Sequence, residues 1–112
     1  MINFIQLHSI EEIEQFIQEH NLAFLYMTQP NCSVCDGLRP QIEAILSKYP
    51  NIYSATINAS EVPQVASRFQ VFTAPVLLLF VDGKEFVREA RIVHTKKFVE
   101  KLDRIYKYVE NQ

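Results

Sequence analysis

Two runs of six consecutive apolar residues, 22–27 and 76–81, constrain the fold of this chain more than any other feature. A strand with one face in water alternates apolar and polar side chains, whereas a strand covered on both faces is apolar throughout. Turn-forming residues follow each run, with Pro30-Asn31 after the first and Asp82-Gly83 after the second. The sequence therefore predicts a sheet with helices packed against both of its faces.

Helical and strand patterns alternate through the rest of the chain. Helices are predicted at residues 10–20, 33–49, 62–69 and 96–109, and strands at residues 4–7, 22–27, 52–57, 76–81 and 85–90. Helical crossovers favour parallel pairing of the first strands, and Asp82-Gly83 predicts a hairpin that adds an antiparallel strand. The chain is therefore predicted to be an α/β protein with a central mixed five-stranded sheet flanked by four helices.

Two of the helix starts carry capping residues. Ser9 and Glu12 form a capping box, in which each side chain accepts a hydrogen bond from the backbone N–H of the other residue. Thr95 is predicted to cap the last helix. These residues predict where the first and last helices begin.

The size and charge of the chain argue against several classes of protein. Its 112 residues are predicted to form one domain, residues 1–112, which we expect to be a monomer. A net charge of −2 and scattered basic residues argue against a nucleic-acid partner. No segment approaches the roughly 18 consecutive apolar residues of a membrane span, and the first residues lack the features of a secretory signal. We therefore expect a cytoplasmic protein with no membrane partner, in which a purely structural disulfide is disfavoured.

The only two cysteines, Cys32 and Cys35, stand at the predicted start of the second helix. Residues three apart on a helix lie roughly 5–6 Å from each other, within the usual Cα separation of a disulfide. Unpaired N–H groups and the positive end of the helix dipole lower the pKa of a thiol at this position. Cys32 precedes the first turn and is predicted to be the attacking nucleophile. Cys35 lies one turn deeper and is predicted to be the resolving cysteine.

Two other interpretations of the cysteine pair stay open. A zinc site needs four ligands, commonly from two separated pairs, whereas this chain offers one pair and three isolated histidines. The pair would also be inert if both thiols were buried, although Pro30-Asn31 and Ser33 predict a partly exposed loop. The sequence contains no glycine-rich phosphate-binding loop, and we expect neither a bound metal nor a cofactor.

The C-x-x-C motif after the second strand, Pro40 and Ala74-Pro75 together resemble the thioredoxin family over essentially the whole chain. Members of that family have a proline eight residues after the first cysteine and a cis-proline just before the fourth strand. Cys32 and Pro40 have this spacing, and Pro75 precedes the fourth predicted strand. The resemblance implies the thioredoxin fold, with a cis Ala74–Pro75 bond and Pro75 against the two sulfurs.

The resemblance also implies a function. Such a protein is a thiol–disulfide oxidoreductase, which exchanges its Cys32–Cys35 dithiol or disulfide with disulfide-containing proteins through a mixed disulfide. An extended substrate backbone would pair with the backbone beside the cis-proline. The residues implied to contact substrate are Ser33, Val34, Ala74 and Pro75. A flavin-dependent thioredoxin reductase is implied as an electron donor.

The residues around the motif depart from the family pattern at several positions. They are Asn31 in place of tryptophan, Ser33-Val34 in place of Gly-Pro, Tyr26 in place of a buried acid, and residues 91–93 in place of a glycine. A lysine that accompanies the acid on the third strand has no clear equivalent in residues 54–57. Because the acid helps to deprotonate the resolving cysteine, Cys35 is predicted to be activated more slowly here.

These departures affect both the redox poise and the function that is expected. Val34, unlike proline, leaves a backbone N–H that can donate to the Cys32 sulfur and favour its thiolate. The pair is therefore predicted to be more oxidising than that of a typical thioredoxin. The missing acid and tryptophan also support an alternative function, a redox-sensing or redox-poor binding module that docks a protein partner near Ala74-Pro75.

Overall fold

The computed structural model describes residues 4–111 of the chain. Within this range the strands are β1 (Ile5–Leu7), β2 (Leu22–Thr28), β3 (Tyr53–Asn58), β4 (Val76–Val81) and β5 (Lys84–Ala90). The helices are α1 (Ile10–Glu19), α2 (Ser33–Leu46), α3 (Val65–Phe69) and α4 (Thr95–Glu110). Residues 1–3, part of the segment predicted to lack a secretory signal, lie outside the described residues.

The five strands form one sheet in the order β1-β3-β2-β4-β5. β3 pairs in parallel with β1 and with β2, whereas β4 pairs antiparallel with β2 and with β5. The two apolar runs become the neighbouring strands β2 and β4, and all of their residues from 22 to 27 and from 76 to 81 are buried. The predicted mixed five-stranded sheet flanked by four helices is confirmed.

Alternate residues of the central strands supply two cores on opposite faces of the sheet. One face is covered by α1 and α3, and we call it the α1/α3 core. The other face is covered by α2 and α4, and we call it the α2/α4 core. From β2, Ala23, Leu25 and Met27 enter the α1/α3 core, and Leu22, Phe24 and Tyr26 enter the α2/α4 core. The helix that carries the cysteine pair therefore packs on the same face as Tyr26.

The hairpin between β4 and β5 has the geometry that its sequence predicts. Asp82 and Gly83 both have positive φ, at 50° and 82°. Positive φ at both central residues matches the right-handed twist of the strands in a two-residue hairpin. The prediction of an antiparallel return at Asp82-Gly83 is confirmed, and β5 begins one residue earlier than expected, at Lys84.

The two predicted caps differ from expectation in their details. Ser9 Oγ accepts from the Glu12 N–H at 3.1 Å, as predicted. The Glu12 carboxylate, however, accepts from the backbone N–H of His8 at 2.6 Å rather than from that of Ser9. At the last helix the prediction of a Thr95 cap was wrong, because Thr95 is already helical. The extended residue that precedes the helix is His94, whose side chain makes no capping bond.

Two helices are shorter than their apolar patterns predict. α2 ends at Leu46 because the backbone beyond it forms hydrogen bonds over three residues in place of four. The Tyr49 N–H donates to the Leu46 carbonyl at 2.9 Å. α3 begins only at Val65, since the Val62 N–H is held in a turn by the Asn58 carbonyl at 3.2 Å. None of the helices within residues 4–111 has the length and apolar character needed to cross a membrane.

Strand register brings three loops to one end of the sheet. Met27 of β2 pairs with Val76 at the start of β4, and Val76 also pairs with Ala90 at the end of β5. The segment that follows β2, the segment that precedes β4 and the segment that follows β5 therefore lie at the same end. These segments contain the cysteine pair, Ala74-Pro75 and residues 91–93.

Candidate redox site

Cys32 and Cys35 form a disulfide, with their Cα atoms 5.3 Å apart. Cys32 is the N-cap of α2 and has an extended backbone, while Cys35 lies in the first helical turn. The two cysteines differ in accessibility, because Cys32 is partly exposed and Cys35 is only 2% exposed. The pair is therefore a closed disulfide in which only the first cysteine is open to a reactant.

The helix start provides a hydrogen bond to the first sulfur. The Cys35 N–H donates to Cys32 Sγ at 3.2 Å. The sequence had suggested Val34 as this donor, but an N-cap side chain reaches the amide two or three residues ahead, and here it is the third. Ser33 and Val34 instead lie exposed in the first turn, with the Val34 side chain 60% exposed.

The Ala74–Pro75 peptide bond is cis, and Pro75 is buried. The Pro75 carbonyl accepts from the Arg91 N–H at 3.1 Å, which ties the loop before β4 to the loop after β5. Arg91 has a φ of 66°, in the left-handed region that favours glycine. It belongs to the segment in which the sequence lacks the glycine of the family, and its backbone adopts a conformation that glycine favours.

Exposed apolar side chains lie at this end of the sheet, in the first turn of α2 and on the segments before β4 and after β5. Val34, Phe72 and Ile92 are 60%, 74% and 75% exposed. The sequence singled out residues 91–93, which include Ile92, but not Phe72. The available signal was its position, since Phe72 lies three residues before Pro75 and in no helical or strand pattern.

Tyr26 is fully buried beneath the cysteine pair. Its hydroxyl donates to the backbone carbonyl of Cys35 at 2.6 Å. Burial raises the pKa of Tyr26 to about 12; nearby Arg39 opposes this increase and Asp36 adds to it. The phenol is therefore neutral, and it acts as a hydrogen-bond donor rather than as a base.

The register of the sheet identifies the residue opposite Tyr26. Thr56 of β3 pairs with Tyr26 of β2, and Thr56 is only 7% exposed. Since paired residues of neighbouring strands point to the same face, Thr56 is the third-strand residue beside Tyr26, within the segment 54–57 in which the sequence offered no clear lysine. The site beneath the cysteines thus holds two uncharged hydroxyl side chains.

The histidines are not gathered with the cysteines. Within residues 4–111, no group of three or more histidine, cysteine, aspartate or glutamate side chains is arranged to hold a metal ion. His8 contacts Glu61, and His20 stacks on Tyr53 with the ring centroids 4.0 Å apart. The chemistry that the site offers is therefore that of the sulfur pair.

Comparisons with known proteins agree with this geometry. The model of the thioredoxin family matches residues 4–104. The thioredoxin-like protein YdfQ of Bacillus subtilis is 49% identical over 106 residues, which are 95% of each chain. Thioredoxin-1 of Saccharomyces cerevisiae is 28% identical over 74% of this chain and 81% of its own. A crystal structure of thioredoxin from Trypanosoma brucei brucei superposes with a TM-score of 0.82 at 20% identity, covering 94% of this chain and 92% of that one. With the disulfide at the start of α2 and the mixed five-stranded sheet, these matches show that the chain belongs to the thioredoxin family.

Proposed function

We propose that this protein is a thiol–disulfide oxidoreductase that exchanges electrons between Cys32–Cys35 and protein substrates. The observation that supports this most directly is the closed disulfide at the start of α2, with one partly exposed cysteine and one buried. Thioredoxins generally act on disulfide-containing proteins, and this chain carries their redox-active pair. A location in the cytoplasm, a monomeric state and a thioredoxin reductase as electron donor belong to the same proposal.

The proposed exchange proceeds in two steps. Cys32 thiolate attacks one sulfur of a substrate disulfide, and the other substrate sulfur leaves as a thiolate that takes a proton from water. Cys35 then loses its proton to water, and its thiolate attacks Cys32 Sγ. The Cys32–Cys35 bond forms, and the second substrate sulfur leaves and is protonated. Two electrons pass to the substrate, and an external dithiol reduces the protein again.

The different environments of the two sulfurs support these roles. Cys32 Sγ is partly accessible and accepts the Cys35 N–H, a bond that favours a thiolate in the reduced protein. Cys35 is nearly inaccessible, so it can reach a sulfur bound to Cys32 more easily than one in solution. We therefore propose Cys32 as the nucleophile and Cys35 as the resolving cysteine.

The exposed apolar side chains support protein substrates. Val34, Phe72 and Ile92 would contact a protein that presents its disulfide to Cys32. An extended substrate segment would pair with the backbone at Ala74-Pro75 and contact Ser33 and Val34. Backbone pairing recognises little of the substrate sequence, so the apolar side chains would set the preference.

The experiment is to trap the mixed disulfide. Cys35→Ser should accumulate covalent adducts with several proteins in a cell extract, because Cys32 can attack but the adduct cannot be resolved. Cys32→Ser is the matched control and should trap few or none. The unmutated protein should catalyse the reduction of insulin by dithiothreitol. Adducts on Cys32→Ser but not on Cys35→Ser would reverse the assigned roles.

The neutral pair Tyr26 and Thr56 favours a second candidate function. With no buried acid to deprotonate Cys35, turnover would be poor, and the protein would act as a redox-sensing module that docks a partner near Ala74-Pro75. In that case the insulin assay shows no catalysis and Cys35→Ser traps no adducts. Partner binding would then depend on whether the disulfide between Cys32 and Cys35 is formed.

A further inference from the structure

The bond between Tyr26 and Cys35 links the sheet to the turn that carries the resolving sulfur. The two residues are nine positions apart, on β2 and in the first turn of α2. The hydroxyl lies 2.6 Å from the Cys35 carbonyl oxygen, and the bond is buried. A bond of this kind restrains the backbone of Cys35 directly, and therefore the position of its sulfur.

The Tyr26 ring is itself held in place. Phe4 stacks on it with the ring centroids 6.1 Å apart, and the Arg39 guanidinium lies 5.1 Å from the centroid of Phe4. Leu77 of β4 is paired with Tyr26 in the sheet. Because the ring is confined on several sides, its hydroxyl has a defined direction towards α2.

We propose that Tyr26 is a positioning residue for the resolving step, holding the Cys35 backbone so that its sulfur meets the Cys32 mixed disulfide. The inference depends on the proposed function, since it concerns the second step of that exchange. The first step uses Cys32, whose position is set by the helix start, and Tyr26 does not enter it. A change at Tyr26 should therefore slow the second step and leave the first unchanged, whereas a general effect on folding would slow both.

Tyr26 takes no proton in this step. The charged groups near it are Asp36 and Arg39 of α2, and its neighbour on β3 is the uncharged Thr56. Phe98 and Leu102 of α4, in the same core, are apolar. The proton of the Cys35 thiol therefore passes to water, and the contribution of Tyr26 is geometric. Holding reacting groups in place raises their effective concentration, and small displacements lower the rate.

The test measures the two steps separately with Tyr26→Phe, which removes the hydroxyl and keeps the ring. A peptide disulfide is mixed with the reduced protein, and the reaction is quenched with acid at successive times. The mixed disulfide and the closed Cys32–Cys35 form are then separated by mass. We expect attack by Cys32 to change less than twofold and resolution by Cys35 to slow by about two- to tenfold, the range that one hydrogen bond provides.

Tyr49→Phe is the matched control. Tyr49 is buried in the same core, and its hydroxyl donates to Asp103 at 3.3 Å, away from the cysteines. This variant should leave both steps unchanged. If Tyr26→Phe resolves the mixed disulfide as fast as the unmutated protein, the inference about Tyr26 is wrong. If the unmutated protein forms neither a mixed disulfide nor the closed Cys32–Cys35 form, the proposed function fails instead.

A measurement on the unmutated protein provides an independent test. The hydroxyl proton of Tyr26 should exchange slowly with water in both the oxidised and the reduced protein, as seen by NMR. Fast exchange in the reduced protein would show that the bond is absent when Cys35 must attack, and would overturn the inference even if Tyr26→Phe does not fold.

Discussion

The two faces of the sheet use the same strands in different ways. The α1/α3 core is built from apolar side chains alone. The opposite face holds the α2/α4 core together with the Tyr26 hydroxyl and the two buried polar residues of the described chain, Ser54 and Thr56. Alternate residues of one strand thus separate a purely structural face from the face that supports the cysteine pair. We therefore expect substitutions in the α1/α3 core to leave disulfide exchange unchanged and substitutions around Tyr26 in the α2/α4 core to alter it.

The largest expected effect comes from truncating neighbouring leucines that point to opposite faces. Leu77 and Leu78 are both fully buried, in the α2/α4 and α1/α3 cores. Leu77→Ala and Leu78→Ala should each lower the free energy of unfolding by roughly 2–5 kcal/mol, measured by urea denaturation. Only Leu77→Ala should also slow disulfide exchange, because Leu77 is paired with Tyr26. Equal exchange rates in the two variants would show that the faces do not differ in this respect.

The next largest effect is the change in the free energy of unfolding when a buried hydroxyl group is removed from one face or added to the other. Ser54 Oγ is buried and has no hydrogen-bond partner, whereas the adjacent Ala55 faces the α1/α3 core. Ser54→Ala should raise the free energy of unfolding by up to about 1 kcal/mol, and Ala55→Ser should lower it by about 1–3 kcal/mol. The urea midpoints of the two variants measure both changes. A loss of stability in Ser54→Ala would mean that its hydroxyl is satisfied.

A smaller effect is the pH-dependent contribution of Tyr26 to the free energy of unfolding. Removing its buried hydrogen bond in Tyr26→Phe should lower the free energy of unfolding by about 1 kcal/mol at pH 8. The pKa of Tyr26 is raised from 10.0 to about 12 in the folded protein, so its stabilising contribution is complete below pH 10 and is lost as the pH rises towards 12.

The difference in the free energy of unfolding between the unmutated protein and Tyr26→Phe, which we call the stability gap, should therefore narrow between pH 10 and pH 12. Tyr49 and Tyr106 also have a raised pKa, but they are present in both proteins and their contributions cancel. Urea denaturation at several pH values measures the gap. A gap that stays constant across this range would mean that Tyr26 ionises as easily in the folded chain as in the unfolded one.

The smallest effect concerns backbone strain beside the site. Arg91, with a φ of 66°, adopts a conformation that costs a residue with a side chain about 1–2 kcal/mol. Arg91→Gly removes this cost but adds entropy to the unfolded chain, so a net gain of about 0.5–1 kcal/mol is expected in thermal or urea unfolding. Gln70→Gly, at a φ of 56° beyond α3, is the comparison on the other face. Its gain should be smaller, because it loses the Gln70 side-chain bond to the Ser67 carbonyl.

The sequence predicted the sheet better than it predicted the ends of the helices. The apolar runs 22–27 and 76–81 identified the buried strands, because burial on both faces leaves no polar position. The end of α2 and the start of α3 were misplaced, since apolar residues such as Tyr49 and Val62 stay buried in the turns beyond the helices. Burial and helical hydrogen bonding are separate conditions, and the pattern of apolar residues reports only the first.

By itself, the sequence determined the order of the elements, the position of the cysteine pair at the start of a helix and the presence of Ala74-Pro75 before a buried strand. These are local features, carried by residues close together in the chain. The tertiary structure alone decided that Tyr26 donates to the Cys35 carbonyl, that Thr56 lies opposite Tyr26, and that Phe72 and Ile92 join Val34 at one end of the sheet. The physical reason is that strand register brings together residues that are distant in the chain, so each of these contacts depends on several segments at once and not on the sequence around one residue.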